Sequence, residues 1–134
     1  MLIPVFIEQH DDSAYGVIVP DLPGCHSAGD TLEDALFNAE DAIDLHMEDV
    51  VRTGGTFPVP SSLSELKHRS TEFHDGFWAV VNVDEVKYFG KAQRINISLP
   101  SNLIARIDRY VRSSRSFNDR SHLLAVGALK IMGD

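Results

Sequence analysis

The sequence predicts an α+β body followed by a small module that works as a dimer. Three observations point there. Short β-branched and aromatic runs fill residues 2–9, 14–20 and 76–83, a long one-sided helical pattern starts at Leu32, and the tail carries its own strand-helix-helix pattern with the opposite charge. At 134 residues, 43% hydrophobic and 24% charged, the chain has room for one medium or two small domains, and it is neither coiled-coil-like nor polar enough to be disordered.

The elements follow in order. Residues 2–9 (Leu-Ile-Pro-Val-Phe-Ile-Glu-Gln) and 14–20 flank the polar segment His10-Asp11-Asp12-Ser13, which predicts a hairpin with a four-residue loop. Pro23-Gly24 marks a turn before a short strand, Cys25 to Ala28. Thr31 is placed to cap a helix, with Asp34 three residues on. Apolar residues at 32, 35, 36, 39, 43, 47 and 50 form one face of that helix, and Gly54-Gly55 ends it after about 20 residues. Its other face carries Glu33, Glu40, Asp41, Asp44 and Glu48. Acids in the first turn suit the helix dipole, but those near the end oppose it, so local stability does not account for the strip. Pro58 and Pro60 then force an extended path, one or two helical turns are expected through Leu63-Ser-Glu-Leu66, and a strand resumes at Gly76. The body thus reads β-β-β-α-β: a small sheet covered by a helix.

The whole-chain charge of −8 would by itself argue against a nucleic-acid binder. The average conceals a split. Residues 1–90 hold 17 Asp/Glu against 4 Lys/Arg (−13), whereas residues 91–134 hold 3 against 8 (+5). Two domains are therefore expected, at 1–88 and 91–134, with separate partners.

In the tail, residues 93–99 alternate strictly: Ile95, Ile97 and Leu99 face one way, Arg94, Asn96 and Ser98 the other. Pro100 precedes a helix from Ser101 to about Ser113, and a second helix runs from about Asn118 or Asp119 to Met132. That second helix is apolar nearly all round, so it must be buried, yet about 44 residues offer too little to bury it. A lone strand leaves its backbone unsatisfied as well. Both deficits disappear if two copies pair their strands and interlock their helices; the alternative is that the strand joins the body's sheet. The paired ribbon would present Arg94, Asn96 and Ser98, which suit base edges in the major groove: Arg for guanine, Asn for adenine, Ser for either. Asn118, Arg120 and Ser121, at the start of the second helix, would offer backbone N–H groups and a positive dipole end to a phosphate, although the Asp119 carboxylate would repel one.

Other chemistry finds little support. Glu8, Asp11, Asp12, Asp21, Asp30 and Asp84 include no acidic pair whose spacing compels a two-metal nuclease site, so no catalytic residue is expected. Cys25 and His26 are adjacent on a strand and point to opposite faces, which excludes a nucleophile–base pair. His10, His26, His46, His68, His74 and His122 show no metal-ligand spacing, and neither a metal nor a cofactor is expected. His122 is expected to cap its helix or pack in the dimer core. A single cysteine, a first basic residue at Arg52 and Pro4 within the short opening apolar run lead us to expect a cytoplasmic protein without signal peptide or membrane span.

Over Ala92 to Met132, with Arg94-Ile-Asn-Ile-Ser-Leu-Pro100 and Ser116-Phe-Asn-Asp-Arg-Ser121, the tail resembles the ribbon-helix-helix DNA-binding proteins. The body resembles the HicB antitoxins of HicA-HicB toxin-antitoxin systems. The likeness rests on Tyr15-Gly-Val-Ile-Val-Pro-Asp-Leu-Pro-Gly-Cys25, Ala28-Gly-Asp-Thr-Leu-Glu-Asp-Ala-Leu36, Phe57-Pro-Val-Pro60 and Phe77-Trp-Ala-Val-Val-Asn-Val-Asp84. That resemblance implies a degenerate ribonuclease-H-like body that blocks HicA, a small basic mRNA-cleaving RNase with a catalytic His. It also implies a C-terminal DNA-binding module that represses the operon encoding both proteins. A homodimer through the tail is then expected, with room for a larger assembly with toxin. The acidic residues Glu40, Asp41, Asp44 and Glu48 are the expected toxin contact, since a surface that replaces RNA against a basic partner should be negative. The rival reading is a ligand-sensing ribbon-helix-helix transcriptional regulator whose body binds a metabolite or metal. The adjacent reading frame discriminates between the two.

Overall fold

A computed structural model describes residues 1–9, 14–69, 73 and 75–133. Contacts divide it into two compact units, Met1–Asp84 and Glu85–Asp134.

The first unit is an antiparallel sheet in the order β3-β2-β1-β4, built from β1 (Leu2–Gln9), β2 (Tyr15–Ile18), β3 (His26–Gly29) and β4 (Gly76–Asn82). The expected hairpin is present, with Gln9 opposite Tyr15; His10, Asp11, Asp12 and Ser13 of its loop lie outside the described residues. β1 is central, and Ile3 through Ile7 are all buried, so it reads as a continuous apolar run rather than an alternating one. A proline inside such a strand has to be reconciled with the ladder. Met1 and Val83 exchange backbone bonds, so odd-numbered residues of β1 bond toward β4 and even-numbered ones point to the other side. β2 pairs only as far as Phe6, and Pro4 therefore removes no ladder bond. β2 stops sooner than the apolar run suggests because Val19 leaves the ladder for a turn, donating to the Cys25 carbonyl and accepting from Leu22.

Helix α1 (Leu32–Arg52) covers one face. Thr31 caps it through its hydroxyl on the Asp34 N–H (3.1 Å), and the chain leaves through Thr53 and Gly54, the latter at φ +74°. Ala35, Ala39, Ile43 and Met47 are buried, on the stripe that the periodicity predicts. Ser27 Oγ donates to the Ala35 carbonyl and Asn38 Nδ2 to that of Ala28, tying α1 to β3. Gly29 makes this contact possible: a Cβ there would lie 2.3 Å from the Ala35 nitrogen. Phe6, Phe73 and Trp78 form an edge-packed aromatic cluster with ring centroids 4.9–5.3 Å apart. Asp21 accepts from the backbone N–H and the hydroxyl of Ser61 (2.7 and 2.6 Å), pinning the proline-rich segment ahead of α2 (Leu63–Arg69), a helix of about two turns, as expected.

The second unit opens with a 3-10 turn, Glu85–Phe89, which packs on α4 (Arg120–Met132); α3 (Ser101–Ser113) packs on α4 as well. Among its described residues, Glu85, Tyr88, Ile107, Val126 and Leu129 are buried. Both helices start and stop within a residue or two of the sequence reading. Residues 93–99, where alternation predicts a strand, belong to no strand in this single chain. The reason is physical: a strand exists through ladder bonds to a partner, and the four strands of the sheet are drawn from residues 2–82. Among the described residues no helix is long and apolar enough to cross a membrane.

Candidate functional site

Two surfaces carry the candidate residues, one on each unit. On the first, Glu40, Asp41 and Glu48 are exposed along the outer side of α1, and Asp44 is half-buried. Arg52 at the helix end pairs with Asp49. The same outer side holds two residues that the amphipathic stripe does not use: Phe37, 68% exposed, and Leu45, 69% exposed. Sequence reasoning passed over them; the signal was the presence of two large apolar side chains off the stripe.

On the second unit, Arg94, Asn96 and Ser98 are all exposed, and so are Ile95 (76%) and Ile97 (57%) on the alternate positions. The entry to α4 is more tightly built than its sequence suggested. Asp119 caps the helix, its Oδ1 accepting from the His122 N–H at 2.8 Å. The carboxylate that looked out of place near a phosphate is thus the helix's N-cap. Arg120, expected to contact phosphate, closes its guanidinium on Asp108 of α3: Nε to Oδ1 at 3.0 Å and Nη2 to Oδ2 at 2.8 Å. The bidentate pair holds the Asp108 carboxyl below the usual carboxylate range and pushes Arg120 up. Phe117 packs tilted against Tyr110 and His122, with ring centroids 5.9 and 5.7 Å away, and His122 Nδ1 accepts from the Asn118 N–H (3.3 Å). Asn118 and Ser121 stay exposed at this corner. Asp108 was not legible in advance, since nothing in the spacing pairs it with Arg120.

The carboxylates weighed for catalysis do not converge. Glu8 sits opposite Gly76 at one end of the β1–β4 pair, and Asp84 follows the other end, where Asn82 is opposite Leu2. At about 3.3 Å per residue they are separated by roughly 20 Å, too far to share two metal ions. Asp21 is engaged by Ser61, and Asp11 and Asp12 lie outside the described residues. Among the described residues no three His, Cys, Asp or Glu side chains gather to hold a metal; His10 and His74 fall outside them. Cys25 is buried, which pushes its thiol up, while His26 is exposed.

The model of the HicB-like antitoxins of bacterial toxin-antitoxin systems matches residues 3–128. The chain belongs to the HicB-like antitoxin family. A Haemophilus phage HP1 protein, an uncharacterized 14.9 kDa product of the rep-hol intergenic region, is 38% identical over 125 residues, 93% of this chain and 92% of that protein. The crystal structure of the Burkholderia pseudomallei antitoxin HicB superposes with a TM-score of 0.86 at 38% identity, covering 98% of both chains. A chain of a HicA3–HicB3 toxin-antitoxin complex matches 61% of this chain and 96% of its own length, with a TM-score of 0.50 and 29% identity. HicB-like antitoxins are regulatory proteins rather than enzymes, in keeping with the scattered carboxylates, and the α+β architecture expected from the sequence is theirs.

Proposed function

We propose that this HicB-like antitoxin neutralises a HicA-like mRNA-cleaving RNase through its first unit, and that its second unit dimerises as a ribbon-helix-helix module on operator DNA to repress its own operon. The observation that carries the reading is the full-length likeness to an antitoxin HicB, over 98% of both chains. A toxin partner is supported by the neighbour solved as a HicA3–HicB3 complex. The −13 charge of residues 1–90 supports a basic partner.

Operator binding is supported by chemistry in the tail. Arg94, Asn96 and Ser98 are exposed together, and Ile95 and Ile97 are exposed on the alternate positions, an arrangement that two copies would convert into a ribbon with one apolar and one base-reading face. On α4, Ile131 (89%) and Met132 (66%) are left in solvent, apolar surface that a second copy would cover. Asn118 and Ser121 then approach the phosphate backbone, with Arg120 holding the helix start in place through Asp108.

The test is co-expression with the adjoining gene. A neighbour encoding a small basic protein that arrests growth alone, is tolerated with this chain and co-purifies with it is the expected outcome. A transporter or metabolic gene there, with no rescue, would favour a ligand-sensing regulator.

A further inference from the structure

The outer side of α1 combines two features that one partner explains. Phe37, Asp41 and Leu45 follow one another four residues apart, so they form a single row along the helix pole opposite buried Ala35, Ala39, Ile43 and Met47. Two large apolar side chains more than two-thirds exposed at such a pole do nothing for the fold. Around them stand the exposed carboxylates Asp34, Glu40, Asp41 and Glu48. Asp34, in the first turn, suits the helix dipole, but Glu48, in the last turns, opposes it, so helix stability does not account for the whole acidic surround. Phe37 also walls a shallow cleft with Ala14, Gly29, Asp30, Asp34 and Asn38, which extends the surface over the helix start.

We infer that Phe37 and Leu45 are the apolar anchors of the toxin contact: a basic protein covers the pole, burying both side chains, while the surrounding carboxylates meet its cationic rim. The inference rests on the antitoxin reading and deepens it, because the acidic residues alone would give attraction without a desolvated centre. Anchors and rim differ in kinetics. Buried apolar anchors set the dissociation rate and are insensitive to salt; rim charges set the association rate and are screened.

The probe is the small basic protein encoded beside this gene, titrated against the full-length chain by surface plasmon resonance at low and moderate salt. Phe37→Ser and Leu45→Ser should each weaken binding by about tenfold or more through faster dissociation at both salt levels. The thermal midpoint should be unchanged, since neither residue is in the core. Asp41→Arg, at an exposed position between them, should reduce binding comparably by setting a cation against a cation. Glu40→Gln combined with Glu48→Gln should slow association at low salt only. No binding by the unaltered chain would remove the antitoxin reading itself. Binding by the unaltered chain that Phe37→Ser, Leu45→Ser and Asp41→Arg all leave intact would remove this surface alone. Loss of self-association in the serine variants with toxin affinity unchanged would make the pole a contact between copies of this chain and would likewise overturn the inference.

Discussion

At the scale of single residues, the fold depends on a few close approaches that side-chain chemistry alone does not reveal. Gly29 is one. Its missing side chain lets β3 touch the first turn of α1, and Gly29→Ala would drive a methyl into the Ala35 backbone. The expected cost is at least that of an overpacked core, about 1–3 kcal/mol, read as a lower urea midpoint with little change in slope. Asp108 is another. Arg120 holds its carboxyl charged below the usual range, so the pair contributes stability above that range and loses it as pH falls through the lowered value. Asp108→Asn should therefore lower the thermal midpoint at neutral pH, with the gap to the unaltered chain closing in acid, where both carry an uncharged group. Melts across the carboxylate range check the sign.

At the scale of elements, legibility followed periodicity. The buried stripe of α1 and the bounds of α3 and α4 were readable because a helix declares its core face every three to four residues. The short strands were read to within a few residues, their ends being set by pairing and turns, as at Val19. What periodicity cannot show is the other side of an element. Phe37 and Leu45 were passed over, and Arg120 was read only as part of a phosphate site, because the carboxylate that engages Arg120 lies on another helix and the proposed occupant of the α1 pole on another molecule. The segment Arg94–Leu99 is the clearest case: its alternation is plain, yet no strand forms within one chain. The ribbon proposal predicts that Arg94→Ala or Asn96→Ala weakens specific operator binding, each base contact being worth roughly 1–3 kcal/mol, while toxin neutralisation is unaffected. Mobility-shift titration against operator and scrambled duplexes, run beside a growth-rescue assay, separates the two tasks. Failure in both assays would mean that the units are not independent.

At the scale of the whole molecule, the net charge of −8 is the sum of an acidic unit and a basic one, and each sign suits a different partner. In the proposed dimer, two tails would bring twice the +5 carried by residues 91–134 to one duplex. The proposal predicts that operator affinity falls steeply with salt, as counterion release requires. The most direct test of the antitoxin proposal uses neither growth nor DNA. The protein encoded by the adjoining gene is incubated with an RNA substrate, and cleavage is followed as the full-length chain is added. Cleavage that stops near stoichiometric addition, and stops equally with Arg94→Ala, is the predicted result; cleavage that persists under an excess of the unaltered chain would contradict it.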